Sequence, residues 1–521
     1  MKAFIFGIDG ASYGLLNKLV DEGKMPNFKR LIQGGIYCKL NSVVPPHTAP
    51  GWMSAFTGVN PGKHGIYQFW DTQSDSYVGK FMGSVDLGVQ PLWQILNAYG
   101  YKTGVLNIPM SHPPSKLNGF MITWPLSNTL RYSYPEDLLM KIAQVGGHYA
   151  NDLTTMCDGR ADYIDRAIQI TKKRVKTVQY LLKNYEWDFF SVVFTEIDRV
   201  SHFYWHYMDE KSPEYCPDAE NKLKTAVEDI YLETDRALEA ILKYLPEDVM
   251  VIVLSDHGFG TGYMNFYVQS YLMDIGALHV YSIKGELPEQ KDRSFSEINS
   301  NSWLEFSDNN MKYSVDWSKT KAYMAAPGSY GVNINLKGRQ TYGIVDKDDY
   351  ERTRDILIEQ LYRVENPKTG SRLFKRIAKR EEIYYGSRTN GAPDIILIPE
   401  SYGIMVHHAI VPGQYFGNPE QKGMHRNDGV LIIHGRNIQG SDRVKNAHIE
   451  DITPTILDYY NIAIPAYMDG KPLCSFGHEC RKQDNLCEHL ESQEARVCSE
   501  DSYEADELDD IKDRLKALGY L

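Results

Sequence analysis

Asp256 and His257 stand side by side in LSDHGFG, directly after the apolar run VMVIV. Successive side chains on a strand point to opposite faces, but Gly258 and Gly260 let the chain turn at the strand end, so both can reach one ion. In FTEIDRVSHFYWHY, Asp198 and His202 are four positions apart, which on a helix stacks them on one face. His206, another four positions on, competes with His202. Asp9 follows the apolar AFIFGI, and His425 in KGMHRNDGV precedes the strand-like VLIIHG. Singly, each is a polar strand end or an ordinary histidine. Together with Thr48 they form two sets of mixed oxygen and imidazole donors: Asp9, Thr48, Asp256 and His257, and Asp198, His202 and His425. Such a mix suits zinc or manganese better than magnesium or calcium, which prefer oxygen shells. Two such ions a few ångströms apart clamp a transferring phosphoryl group.

Thr48 lies in SVVPPHTAPGWMSAFTGVNPGKHGI, between His47 and an Ala-Pro pair at a helix start. Threonine is a common N-cap, its hydroxyl oxygen accepting from an N–H of the first turn. The same place suits a nucleophile, because a divalent ion stabilises the alkoxide and the helix N-terminus attracts an anion. Pro50 fits a first-turn position, where an N–H is not needed.

The elements that must position these residues are legible as alternation. AFIFGID, LLNKLVDEGKMPNFKRLI, PLWQILNAYGY and KTGVLNI interleave buried strands with amphipathic helices, the pattern of an α/β sheet covered on both faces. Further along, IDRAIQITKKRVKTVQYLLKNY leads into WDFFSVVFTEID, and VEDIYLETDRALEAILKYL into VMVIVLSDHG. Open α/β sheets bind ligands beyond the carboxyl ends of their strands, so three strands are expected to deliver Asp9, Asp198 and Asp256 to one rim. Between Gly260 and Gly423 the pattern turns polar and irregular, which predicts an inserted cap with some return to the core sheet near APDIILIPE. A second insertion is expected between residues 110 and 160.

FGIDGASY, TAPGWMSAFTGVNPGKHGI, EIDRVSH, LSDHGFG, INLKGR, GAPDIIL, MHRNDGV and EDITPTILDYYNI occur in that order. The set resembles the alkaline phosphatase superfamily, and within it the type I phosphodiesterase and nucleotide pyrophosphatase-like branch, nearly end to end. The resemblance implies a three-layer α/β sandwich with a largely parallel central sheet, helices on both faces and inserted cap segments. Residues 1–260 and 423–470 would form the core, 261–422 the cap, and 471–521 a tail with an acidic helix. It also implies two divalent ions, one held by Asp198, His202 and His425, the other by Asp9, Thr48, Asp256 and His257. Thr48 would attack phosphorus in line, giving a phosphothreonine that water then releases.

The activity so implied is metal-dependent hydrolysis of a phosphodiester or pyrophosphate bond in a small, nucleotide-like molecule. Branch members often carry an asparagine after the HGI element, whereas HGIYQFWD places Tyr67, Gln68 and Phe69 there. Gln68 or a backbone N–H is expected to bind the phosphoryl oxygen instead. Trp52, Phe69 and Trp70 are expected to supply an apolar wall suited to a diester. A phosphomonoesterase or phosphomutase on the same metals, and a catalytically silent binding protein, are the alternatives. A sulfatase would need Cys or Ser at position 48. His64 is assigned to the NPGKHG turn and Asp451 to the cap of the helix holding Thr455.

Composition narrows the partners. The formal charge is −12, from 56 basic and 68 acidic residues, with no basic cluster of the kind that binds duplex nucleic acid. No run approaches the about 18 apolar residues of a spanning helix, and MKAFIFGIDG is too short and too early interrupted by Asp9 for a signal peptide. These features predict a cytoplasmic enzyme without a transmembrane segment. Cys474, Cys480, Cys487 and Cys498 lack paired CxxC spacing and read as free thiols of a reducing compartment. The 36 tyrosines against 18 phenylalanines suit a wet groove. Oligomeric state is left open.

Overall fold

The computed structural model describes residues 1–483 apart from 74, 76, 78, 127–128, 130, 147–148, 150–160, 285–305, 309–310, 325, 327, 412, 437, 439–443 and 445. The acidic tail, Cys157, Cys487 and Cys498, and residues 285–305 of the stretch after Gly260 lie outside the described residues. Two compact units form: Met1–His64 with Gly83–Thr261 and the described part of Gln421–Leu521, and Gly65–Met82 with Gly262–Glu420.

In the first unit, β1 (Ala3–Ile8), β2 (Gly35–Asn41), β3 (Thr103–Leu106), β4 (Gly119–Ile122), β5 (Ser133–Tyr134), β6 (Phe189–Phe194) and β7 (Met250–Leu254) join Asp428–His434 and Ala447–His448 in a nine-stranded sheet. Its order is Ala447–His448, β2, Asp428–His434, β7, β1, β6, β3, β4, β5. β1 runs parallel to both β6 and β7, β3 is parallel to β6 and to β4, and Asp428–His434 and β5 run antiparallel to their neighbours. The chain therefore has the α/β fold that the alternation predicts, with the largely parallel central sheet that the resemblance implies.

Phe4, Phe6 and Ile8 of β1 and Phe190, Val192 and Phe194 of β6 face one side of the sheet. They enter a core shared with Leu16, Phe28, Tyr163, Val178, Leu181, Tyr231 and Leu238 from the helices Tyr13–Asp21, Pro26–Gln33, Asp162–Asn184 and Asn221–Leu242. On the other face, Gly7 leaves room for an indole: a Cβ built there would lie 2.7 Å from Trp52 Cη2. Trp52 belongs to the helix Thr48–Thr57 and stacks on Phe56 with ring centroids 6.1 Å apart. It is 0% exposed. Trp52 is thus a core side chain that seats this helix on the sheet, and not part of an open apolar wall, because only a glycine in β1 opposes it.

The second unit has its own core, with Phe266, Leu272, Tyr323, Val332, Ile334, Leu361, Ile395 and Leu397 at its centre. Ile395–Pro399, the APDIILIPE strand, pairs antiparallel with Gly331–Ile334 and Phe374–Lys379 in a four-stranded sheet. That corrects the expected return to the core sheet: the strand finds its hydrogen-bond partners inside the insertion. Gly65–Met82 likewise groups with this second unit instead of the core. Its buried Asn333 donates Nδ2–H to the Thr72 carbonyl at 2.5 Å.

Candidate metal centre

The site forms where three adjacent parallel strands end. Asp9 follows β1; Asp198 lies in the first turn of the helix Glu196–Met208 that follows β6; Asp256 and His257 follow β7. Gly10, at φ +74, turns the chain away from β1, and a Cβ there would lie 3.0 Å from Asp198 Cβ. A side chain at this place would meet both the left-handed backbone penalty and the neighbouring ligand. The Ser255 hydroxyl ties two of the ends together, accepting from the Ala11 N–H at 2.8 Å and donating to the His257 carbonyl at 2.7 Å.

His202 returns one helical turn after Asp198, as its spacing predicts. His425 is on a strand of its own ahead of the VLIIHG run: Gly423–Arg426 pairs antiparallel with β8 (Gly258–Thr261), His425 opposite Phe259. This register lays the His425 ring over that of His257, with centroids 3.6 Å apart. Two clusters result, Asp198 with His202 and His425, and Asp9 with Asp256 and His257, the candidate ligand atoms of each lying within 4.8 Å of one another. His206 joins neither; its ring lies tilted against that of Tyr207, centroids 3.8 Å apart.

All three cluster histidines use the same nitrogen for support. Nδ1–H of His202 donates to the Gly423 carbonyl at 3.1 Å, that of His257 to Gly258 at 3.1 Å, and that of His425 to Pro46 at 3.2 Å. A backbone carbonyl on Nδ1 fixes the tautomer and leaves Nε2 as the ligand atom. Each Nε2 points inward: His202 and His425 reach Asp198 Oδ1 at 3.4 and 3.3 Å, and His257 reaches Asp9 Oδ1 at 3.4 Å. Asp9 Oδ2 and Asp256 Oδ2 are buried without a hydrogen-bond donor. Buried carboxylate oxygens without donors, facing imidazole lone pairs, are what a divalent cation satisfies. The residues fit two such ions.

The electrostatics agree. Burial, reinforced by the Asp198 charge, raises the Asp9 carboxyl, and burial with the Asp9 charge raises Asp256 well above the usual carboxylate range. Burial works against ionisation of Asp198 too, but His202 and the Arg199 guanidinium outweigh it and hold that carboxyl well below its usual range. Burial also opposes a proton on His257, yet Asp256 and Asp9 push it up to about 9, while burial and neighbouring His257 pull His425 down to about 3. Three buried carboxyl groups this close demand more positive charge than the buried Arg199 guanidinium alone supplies.

Thr48 is the first residue of its helix, and its hydroxyl lies 3.1 Å from His257 Nε2 and 3.3 Å from Asp9 Oδ1. It does not cap the helix. His47 does, its Nδ1 accepting from the Ala49 N–H at 3.1 Å. The sequence puts both groups at the helix start, and only the extended backbone of His47, φ −156 and ψ 141, decides which one turns back onto the first turn.

Gln68 and Phe69 belong to the second unit, both buried, with Gln68 Oε1 accepting from the Phe69 N–H at 2.8 Å. His64 is buried, with Nε2 3.0 Å from the Ser54 hydroxyl, which agrees with its place at the turn. Asp451 holds the His448 and Lys471 N–H groups through its side chain; Thr455 binds the Asp451 carbonyl, so the expected side-chain cap is not formed. Arg199, paired with Asp198 and wholly buried, and Ser255 were invisible as site residues. Their only sequence signal is adjacency to a ligand.

A largely parallel α/β sheet with two acid and imidazole clusters beyond its carboxyl ends and a threonine beside them is the architecture of the alkaline phosphatase superfamily. The chain matches the type I phosphodiesterase / nucleotide pyrophosphatase family over residues 3–428 and belongs to it. It is a phosphohydrolase of that family. Among solved structures, wild-type alkaline phosphatase PafA is similar at 15% identity and a TM-score of 0.53, covering 91% of this chain and 98% of the other. Phosphonoacetate hydrolase from Sinorhizobium meliloti 1021, in complex with phosphonoacetate, shares 14% identity over 87% and 94% of the two chains, TM-score 0.50. An inactive murine ectonucleotide pyrophosphatase / phosphodiesterase 5 in complex with AMP shares 12% over 91% and 100%, TM-score 0.50. These likenesses speak to the fold. No curated protein matches the sequence. Among the described residues no helix is long and apolar enough to cross a membrane.

Proposed function

We propose that the protein hydrolyses phosphodiester or pyrophosphate bonds of a small, nucleotide-like molecule through a phosphothreonine on Thr48. The observation that carries this reading is the Thr48 hydroxyl, placed at a helix N-terminus within 3.1 Å of His257 Nε2 and 3.3 Å of Asp9 Oδ1. When bound to the two clusters, a pair of zinc or manganese ions would ease ionisation of the threonine hydroxyl and offset charge on the attacking and departing oxygens.

The remaining work belongs to the chain. Thr48 Oγ1 directs its proton toward Asp9 Oδ1, 3.3 Å away. Oγ1 forms a bond to phosphorus as the bond to the leaving oxygen breaks, and the leaving group departs with that electron pair. The resulting phosphate ester sits at the N-terminal end of the helix Thr48–Thr57, where the helix dipole favours negative charge. Water then displaces Thr48 Oγ1 from phosphorus, which restores the hydroxyl.

Full-length protein, stripped of metal and reloaded with zinc or manganese, is assayed on bis(p-nitrophenyl) phosphate and p-nitrophenyl phosphate, with Thr48→Ala as control. A metal- and Thr48-dependent preference for the diester is the expected result. Preference for the monoester would replace the reading with a phosphatase or phosphomutase, and full activity of Thr48→Ala would sink the covalent route.

A further inference from the structure

Asp198 and Arg199 are consecutive residues of the helix Glu196–Met208. Side chains one position apart on a helix diverge by about 100° and do not face each other. Here they meet: Arg199 Nη1 donates to Asp198 Oδ2 at 2.5 Å, with both side chains 0% exposed. The pairing is therefore imposed by the surroundings and is no by-product of the helix. One wall is Trp124, 1% exposed, whose ring centroid lies 5.9 Å from the guanidinium carbon. An indole face favours a cation beside it, and burial keeps water from competing for Oδ2.

The two oxygens of Asp198 thus have separate tasks. Oδ2 is taken up by Arg199. Oδ1 receives no hydrogen bond and looks onto His202 Nε2 at 3.4 Å and His425 Nε2 at 3.3 Å. A carboxylate with both oxygens open can bind an ion through one or through two. A charge-assisted bond from a fixed guanidinium to one of them removes that freedom.

We propose that Arg199 is a positioning residue that makes Asp198 a single-oxygen ligand, holding Oδ2 out of the cluster so that Oδ1 alone faces the ion shared with His202 and His425. This rests on the metal-dependent phosphohydrolase reading above, but it concerns binding, so it is tested without turnover.

Stripped full-length protein is titrated with zinc against a competing chelator. Arg199→Met should weaken the binding of one of two zinc ions by 10- to 100-fold, the usual effect of losing a group that orients a ligand. A mere counter-charge would act the other way, because removing a positive charge beside a cation tightens its binding; unchanged or tighter binding overturns the proposal. Arg199→Lys keeps a charged donor for Oδ2 and should recover most of the loss. No recovery would assign the effect to packing against Trp124 and would equally overturn it. The parent gives a readout that does not depend on a variant folding. In nitrogen-15 spectra of the arginine side chains, the Arg199 Nη1–H signal, protected from exchange in stripped protein, should persist after zinc loading. Its loss on loading would show that Oδ2 has passed from the guanidinium to the ion, against the proposal. A chain that takes up zinc but cleaves neither ester would sink the hydrolase reading alone, and the three measurements would still decide the role of Arg199. A chain that takes up no zinc would sink both.

Discussion

His202 Nε2 and His425 Nε2 face each other at 3.1 Å, although both rings have their Nδ1–H committed to backbone carbonyls. Two imidazole lone pairs at this distance repel unless a positive charge lies between them. Asp198 Oδ1, at 3.4 and 3.3 Å from the two nitrogens, completes a three-atom cradle whose members all call for a cation.

Metal loading should therefore stabilise the fold. At ion concentrations 100 times the dissociation constant, each site contributes about 2.7 kcal/mol, read as a rise in melting temperature on reloading stripped protein. Asp256→Asn should act in opposite directions on the two forms. It removes a buried carboxylate that Asp9 already repels, so the stripped protein gains stability, and it removes a ligand, so the rise on reloading shrinks. Scanning calorimetry of both proteins with and without metal checks this; an unchanged metal-induced rise would remove Asp256 from the ligand set.

Thr48→Ser retains a hydroxyl at the same backbone position, whereas Thr48→Ala does not. Acid-quenched parent should carry phosphate on the Thr48 peptide by mass spectrometry, and Thr48→Ala should carry none. Turnover by Thr48→Ala should fall at least about 1,000-fold with metal content retained. A labelled peptide elsewhere would reassign the nucleophile.

Trp52→Ala should cost stability and not recognition. Loss of a buried tryptophan is worth about 3–5 kcal/mol, measured by urea denaturation, while KM of the folded protein stays near that of the parent. A raised KM without loss of stability would return Trp52 to the substrate wall.

His64 and His112 make the fold sensitive to acid. Burial lowers them to about 3 and about 4 from an ordinary 6.5, so below that ordinary value the unfolded chain takes up protons that the folded chain refuses. Stability is full above pH 6.5 and is lost as pH falls toward those folded values, at up to about 1.4 kcal/mol per pH unit for each histidine. His64→Gln should flatten the slope of unfolding free energy between pH 6 and 4, read from denaturation midpoints. An unchanged slope would place the acid sensitivity elsewhere.

The linear chain specified the chemistry of the centre. Asp9, Asp198 and Asp256 each terminate a readable apolar run or open the helix after one, and the four-residue step from Asp198 to His202 follows from helical periodicity. Those are local properties, set by hydrophobic alternation and turn residues within a few positions. His425 was found by type but not by setting, since its strand exists only through pairing with β8, contributed by a segment far away in the sequence.

Tertiary structure decided what depends on distant neighbours. The order β7, β1, β6 makes three remote carboxylates adjacent, and no local pattern encodes strand order. Whether His47 or Thr48 caps the helix depended on backbone angles, and whether Trp52 faces substrate or core depended on a glycine in another strand. Arg199 and Ser255 gain their roles from the charge and the hydrogen-bonding groups that folding places around them. The residue types for the chemistry are written in the sequence; which of their atoms face one another is settled by long-range packing, because burial and pairing are properties of neighbours the chain meets only when folded.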